Sequence, residues 1–377
     1  MKKTLIIIAI LTILALIGYD FWANADRKAG TPGLHVGMLV VNQHRDTLIK
    51  GNFLAIQAFM EPKDYQTATA FKGKLEYYLV EARSRHWLHE NTIVVLPEYI
   101  GTWLVAAGEK NSVYSAPYIQ KAMETMVKSN LFSFVGAYFS ATAKDKVRDA
   151  VFRMKADKMA QIYGDVLSAL AKKYKLTIVG GSIVLPNPKV ENNKIIPQGG
   201  DLYNVSFLFH PDGSIDPQVV HKVFPTKDEQ GFLSKGKMEN LPVFETPAGK
   251  LGIIICTDSW YANVYQYFQD KDCELIAVPS FMTPAGLMRT KWKGYSGFPN
   301  PKDVDVADID SITERQAWEK YAMAGRFRNY NFRAGVNVFM RGKLWDITTD
   351  GLGYSFVEKS LYKDQMLNTS ILTNVQF

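Results

Sequence analysis

The stretch Leu251-Gly252-Ile253-Ile254-Ile255-Cys256-Thr257-Asp258 is an apolar run that ends in a thiol and then a carboxylate. A short continuous apolar run of this kind has the signature of a strand buried on both faces, and such strands belong to sheets covered on both sides. The strand, read as Leu251 to Ile255, delivers Cys256 at its C-terminal end, where the chain must turn. Backbone N–H groups at such a turn can hold an oxyanion. Taken alone, however, a free cysteine is ordinarily a small core residue.

Outward from this run, strand-like and helix-like segments alternate. Leu275 to Val278, Val205 to Phe209, Thr92 to Leu96, Val336 to Met340 and Trp345 to Thr349 read as strands. So do Leu176 to Val184, which contains Gly180-Gly181, and His35 to Val41, the first of the series. Phe71 to His89 and Ala156 to Tyr174 carry apolar residues at helical spacing. Pro211-Asp212-Gly213 has turn chemistry, and Asp350-Gly351 reads as a hairpin-type turn. The alternation predicts an α/β fold. Two looser stretches rich in aromatics, Gly101 to Lys146 and Phe281 to Ile312, have the length of connections that cap a site, although each aromatic taken singly is expected to pack its loop down.

Two more strand ends carry chemistry. Val94-Val95-Leu96-Pro97-Glu98 places a carboxylate at the rim of a sheet, where ligands bind in α/β folds. His221-Lys222-Val223-Phe224-Pro225 sets an amine in apolar surroundings, where a lysine either snorkels or is desolvated beside a carboxylate. Singly, Glu98 is an ordinary loop glutamate and Lys222 a snorkelling lysine. Jointly, Glu98, Lys222 and Cys256 each end a separate strand.

In that order the three residues resemble the triad of the nitrilase, or carbon–nitrogen hydrolase, superfamily. Further motifs carry the resemblance: Leu202-Tyr203-Asn204-Val205 through Pro211-Asp212-Gly213 to His221-Lys222, Phe244-Glu245-Thr246-Pro247-Ala248-Gly249-Lys250-Leu251-Gly252 to Cys256, and Val278-Pro279-Ser280. Gly325-Arg326-Phe327-Arg328-Asn329 and Asp350-Gly351-Leu352-Gly353 extend it to residues 34 to 356. The resemblance implies a four-layer α-β-β-α sandwich. It implies Cys256 as nucleophile, Glu98 as general base and then acid, and Lys222 as oxyanion stabiliser together with the backbone N–H of Thr257. Many members carry a second glutamate eight residues after the lysine. That position is Gln230 here, and the supporting role is assigned to Glu229, one residue earlier. Asp258 matches an acidic residue common two positions after the cysteine, while Thr257 departs from the aromatic usual between them. The chemistry calls for no metal and no cofactor.

The N-terminus predicts a place for this chemistry. Met1-Lys2-Lys3 precedes the apolar run Leu5 to Ile17, and Tyr19, Phe21 and Trp22 follow. The run itself is short of the ~20 residues that span a bilayer, but a helix including the aromatics can just cross. Ala23-Asn24-Ala25 offers a signal-cleavage site instead. The expected organisation is therefore residues 1–25 as anchor or signal, a short polar linker, and residues 32–377 as the hydrolase domain. That domain is expected outside the bacterial inner membrane, in the periplasm or beyond, or secreted if cleavage follows Ala25.

Apolar residues make up 47% of 377, enough for one large core, and the +7 net charge is spread rather than clustered in a nucleic-acid-binding tail. Two cysteines, Cys256 and Cys273, form no disulfide framework. The expected partners are a small-molecule or lipid-linked amide and the membrane through the N-terminal helix. A homo-oligomer is compatible and nucleic acid is not expected. Three functions compete: an amidase acting through a Cys256 thioester, an N-acyltransferase of the apolipoprotein N-acyltransferase kind, and a non-catalytic binding protein on the same scaffold. Cys256-Thr257-Asp258 in place of Cys-Trp-Glu disfavours a true nitrilase.

Overall fold

The computed structural model describes residues 2–27, 37–44 and 50–377. Two six-stranded sheets form its centre. The first runs in the order Leu39–His44, Ser370–Gln376, Asn52–Gln57, Thr92–Val95, Thr177–Val179, Leu208–Phe209. The second runs Val243–Thr246, Gly249–Ile253, Leu275–Ser280, Ala334–Phe339, Tyr354–Val357, Ser360–Lys363. Gly249–Ile253, Leu275–Ser280 and Ala334–Phe339 are mutually parallel, as are Asn52–Gln57, Thr92–Val95 and Thr177–Val179.

Strand alternation explains the layering. In the first sheet Leu54, Ile56, Val94 and Ile178 join one core with helices Ala68–Ser84 and Ala156–Tyr174. Their neighbours Phe53, Ala55, Ile93, Val95 and Val179 join a second core with Leu251, Ile253, Ile276 and Val336 of the other sheet. Helices Ala262–Gln269 and Glu314–Tyr321 contribute Val264, Phe268 and Trp318 to that second core. The result is the expected four-layer α-β-β-α sandwich. Both faces of the inner strands are buried, so each apolar side chain adds roughly 1.5–3 kcal/mol, which is why these strands read as unbroken apolar runs.

Several boundaries differ from the sequence reading. The first strand is Leu39–His44, and His35 and Val36 of the expected strand lie outside the described residues, as does the expected domain start at residue 32. Helix Ala156–Tyr174 matches its prediction and is closed by Lys175 in the left-handed conformation. The other helix begins at its Thr67 cap and ends at Ser84, with His86 at φ +60°, short of the expected His89. The expected strand Leu176 to Val184 is two strands, Thr177–Val179 and Ile183–Pro186, because Gly181 turns at φ +69°. Val205 to Phe209 likewise splits between Leu202–Ser206 and Leu208–Phe209. Asp350-Gly351 is no hairpin turn. That turn is Trp345-Asp346, between Arg341–Leu344 and Ile347–Thr348, and Trp345 is fixed by its indole N–H donating to Val113 O at 2.7 Å.

The stretch Gly101 to Lys146 is more ordered than a loop and holds helices Ile119–Ser129 and Leu131–Ser140. Trp103 and Tyr114 pack inward as expected, whereas Phe132 and Phe139 are 64% and 82% exposed. In the other long connection Met282, Met288 and Trp292 are buried.

The N-terminal helix Lys2–Asn24 is 23 residues long, and only Ala23 is buried. Its end is tied to the body. Lys110 Nζ donates to Trp22 O at 2.5 Å and Ala25 O at 2.6 Å, and Arg27 donates to Ala23 O at 2.7 Å and Ser129 O at 2.8 Å.

Candidate active site

Three strand ends converge. Thr92–Val95 runs into Leu96-Pro97-Glu98, and this corner is pinned by Leu96 N–H on Val179 O (3.1 Å) and Tyr99 N–H on the Ser182 hydroxyl (2.8 Å). Gly181 is required beside it, since a Cβ there would meet Pro97 O at 2.1 Å. Lys222 follows the short strand Val220–His221, which pairs with Leu202–Ser206 in a separate three-stranded sheet. Cys256 follows Gly249–Ile253 and opens a tight helical turn, Cys256–Trp260. Its φ of +47° lies in the left-handed region, a strain that a non-glycine residue keeps only where surrounding structure imposes it.

The structure brings Glu98, Lys222, Cys256 and Glu229 together, all buried. Lys222 Nζ donates to Glu98 Oε1 at 2.8 Å and to both oxygens of Glu229 at 2.9 and 2.7 Å. Lys222 therefore does not snorkel. The Cys256 thiol shares one cavity with Glu98, Lys222 and Glu229, and its sulfur donates to Phe281 O at 3.7 Å. Glu229 is further held by the Thr226 N–H at 2.7 Å and by the Tyr99 hydroxyl. The structure thus places the Glu229 carboxylate on Lys222. Gln230 instead donates to Gly297 O at 2.7 Å, away from the lysine.

Asp258 does not touch the triad through its carboxylate. It accepts the N–H groups of Val223 (2.9 Å) and Phe224 (2.7 Å), fixing the chain immediately after Lys222. Thr257 donates its hydroxyl to Phe224 O at 2.6 Å. The Cys256-Thr257-Asp258 segment is thus stitched to Lys222-Val223-Phe224.

Electrostatics separate the roles. Burial pushes the Glu98 carboxyl up, the adjacent Lys222 opposes this, and the Glu229 charge adds to it. Burial would raise Glu229 too, but the Lys222 charge and its hydrogen bonds hold it below the usual range. Burial alone would lower Lys222, yet Glu229 and Glu98 hold it well above its ordinary value. Burial keeps the Cys256 thiol protonated, well above its ordinary value. Glu229 with Lys222 is the standing ion pair, and Glu98 is the carboxyl of the two whose proton affinity is raised.

Sequence reasoning missed two residues. Asn204, in the motif leading to the lysine, donates to Glu98 Oε1 at 2.8 Å. Tyr99, directly after Glu98 and at φ +62°, reaches Glu229. A cavity of about 730 Å³ opens over the cluster, walled by Trp103, Phe152, Phe232, Trp260, Phe281 and Trp292. One carboxyl of this wall, Glu314, is pushed up to about 7 by burial.

A carbon-nitrogen hydrolase family profile matches residues 67–303. The chain belongs to the carbon–nitrogen hydrolase family. Omega-amidase NIT2 of Danio rerio is 35% identical over 138 residues, 34% of this chain and 44% of that protein. The probable hydrolase YhcX of Bacillus subtilis is 29% identical over 117 residues, 31% of this chain and 20% of that protein. The chain thus spans less than half the length of these curated relatives. Among solved structures, a carbon-nitrogen hydrolase from Helicobacter pylori G27 superimposes with a TM-score of 0.52 at 17% identity, covering 86% of this chain and 89% of that one. An amidase from Nesterenkonia sp. gives 0.52 at 11% identity, over 87% and 90%. At such identities these two likenesses speak for the fold alone.

Proposed function

We propose that this carbon–nitrogen hydrolase is a membrane-anchored amidase that cleaves a linear, apolar amide through a Cys256 thioester. The observation that carries the reading is the buried Glu98–Lys222–Glu229 cluster lining one largely apolar cavity with the Cys256 thiol. In a mutant of the Nesterenkonia amidase the acetamide moiety of fluoroacetamide is added covalently at the active-site cysteine, a nucleophilic role like the one proposed for Cys256, although the adduct proposed here is an acyl thioester.

Cys256 Sγ attacks the amide carbonyl carbon as Glu98 accepts the thiol proton. The oxyanion that forms faces the Lys222 ammonium and the Thr257 backbone N–H. The C–N bond breaks as Glu98 passes its proton to the departing amine, leaving a thioester on Cys256. Glu98, again a carboxylate, deprotonates a water that attacks the same carbon. The C–S bond breaks, the carboxylic acid departs, and the thiolate recovers the proton. If an amine replaces that water, the same thioester completes an acyl transfer.

The Lys110 and Arg27 bonds to the end of Lys2–Asn24 support retention of the helix. Cleavage after Ala25 would remove all three of those carbonyl acceptors. With the helix retained and Met1-Lys2-Lys3 on the cytoplasmic side, the domain lies outside the cytoplasmic membrane, with its substrate at or near the lipid.

Amine release from linear amides of increasing acyl length, measured on the full-length protein in bilayers, tests the reading. Turnover should rise with acyl length and vanish in Cys256→Ala. Equal rates for the two proteins across the series would defeat it. Added hydroxylamine trapping the acyl group as a hydroxamate reports how readily an amine competes with water.

A further inference from the structure

We propose that helix Leu131–Ser140 is a second membrane element, lying with its apolar surface in the headgroup layer of the bilayer that holds Lys2–Asn24. The proposal rests on the reading of Lys2–Asn24 as a retained anchor.

The sequence Leu131-Phe132-Ser133-Phe134-Val135-Gly136-Ala137-Tyr138-Phe139-Ser140 carries no charge, yet the helix is largely uncovered. Leu131, Phe132, Val135, Tyr138 and Phe139 are exposed, and among its residues only Ala137 is buried. A contiguous apolar patch of this kind marks an interaction site rather than a water-facing surface.

The anchor fixes what can cover it. Tyr19 donates its hydroxyl to Lys128 O at 3.1 Å and accepts the Leu131 N–H at 2.9 Å. Its ring meets Phe132 edge-on at 5.4 Å. Tyr19 and Trp22 close the apolar run of the N-terminal helix, the position at which aromatics sit at headgroup level. The start of Leu131–Ser140 is thereby held at that same level. Exposed cations flank the helix on both sides, Lys128 before it and Lys144, Lys146 and Arg148 after it, complementary to anionic phospholipid. A bilayer surface satisfies both features, whereas an apolar protein groove would leave Lys128, Lys144 and Lys146 without an anionic complement; Arg148 is already paired with Asp145.

The consequence reaches the active site. The helices on either side of the patch, Ile119–Ser129 and Lys146–Arg153, supply Ile119, Met123, Val147 and Phe152 to the cavity wall. Val147 is both lining and exposed, so the patch continues into the cavity. An amphiphilic amide would enter from the lipid with its acyl chain along this wall.

The test is photo-crosslinking of the full-length protein in vesicles of phosphatidylethanolamine and phosphatidylglycerol. Benzoylphenylalanine replaces Leu11 in one preparation and Phe139 in the other. Lipid adducts at both positions are expected, with the Phe139 adduct reduced at least fivefold by Lys144→Glu/Lys146→Glu. Adducts at position 11 with none at 139 would overturn the proposal and leave the anchor standing. Adducts at 139 with none at 11 would overturn the anchor, and with it the placement of Leu131–Ser140 beside a membrane-held Lys2–Asn24. Adducts at neither would remove both.

Discussion

Glu98 and Glu229 share one ammonium, and the way they share it sets which carboxyl holds a proton more readily. Lys222 makes one bond to Glu98 and two to Glu229, so Glu229 stays ionised while burial raises Glu98. Glu229→Gln removes a negative charge beside Glu98 and leaves the lysine to it, so the Glu98 carboxyl must fall. The acid limb of the kcat/KM profile should move to lower pH, with kcat down about 10- to 100-fold. An unmoved limb would reduce Glu229 to packing. Lys222→Met strands two buried carboxylates and should cost about 3–5 kcal/mol in a denaturant melt. Asp258 is raised to about 7 by burial despite its two backbone partners. A carboxyl raised on folding contributes stability that is full below its unfolded value and lost as pH rises through the folded one. Denaturant melts should therefore show the native protein losing up to about 1.4 kcal/mol per pH unit relative to Asp258→Asn between about pH 4 and 7. Parallel curves would contradict this. At this scale the triad was legible because each residue type ends a strand in a recognisable order. Asn204 and Tyr99 were not, because an amide and a phenol advertise no role until the fold sets them against the carboxylates.

The elements that the sequence misplaced are those where one backbone angle overrides an apolar run. Gly180-Gly181 looks like part of a continuous strand, but Gly181 at φ +69° turns the chain under Pro97. Its role is to let the Glu98 corner come close. Gly181→Ala should destabilise the fold by more than about 1 kcal/mol, and because the clash falls on Pro97 it should depress kcat more than KM changes. A variant with normal kcat and only a lowered melting temperature would limit the glycine to stability. The hairpin turn falls at Trp345-Asp346 rather than Asp350-Gly351 because tertiary contacts reward it. Trp345 bonds Val113 O, and Asp346 accepts the Ile119 N–H at 2.8 Å. No local turn preference carries that information. Helix Ala156–Tyr174, by contrast, was readable to the residue, since its buried side chains recur at helical spacing along its whole length.

For the molecule as a whole, the layering was legible in the inner strands, whose unbroken apolar runs record burial on both faces. The distribution of the site over three different sheets was not, since nothing along the chain says which strands share a sheet. The docking of Lys2–Asn24 onto Lys110 and Arg27 was equally hidden, because it depends on carbonyls brought near in space. It predicts that the protein stays in the membrane fraction after carbonate extraction and that its intact mass includes residues 2–25. A soluble chain beginning at Asp26 would contradict the anchor. The covalent role of Cys256 is tested by intact-mass analysis of the acid-quenched protein during turnover of a long-chain amide. An acyl-sized increment on the native protein, mapped to Cys256, absent from Cys256→Ala and discharged by hydroxylamine, is the predicted result. Turnover with no adduct on Cys256, or turnover that survives Cys256→Ala, would contradict it.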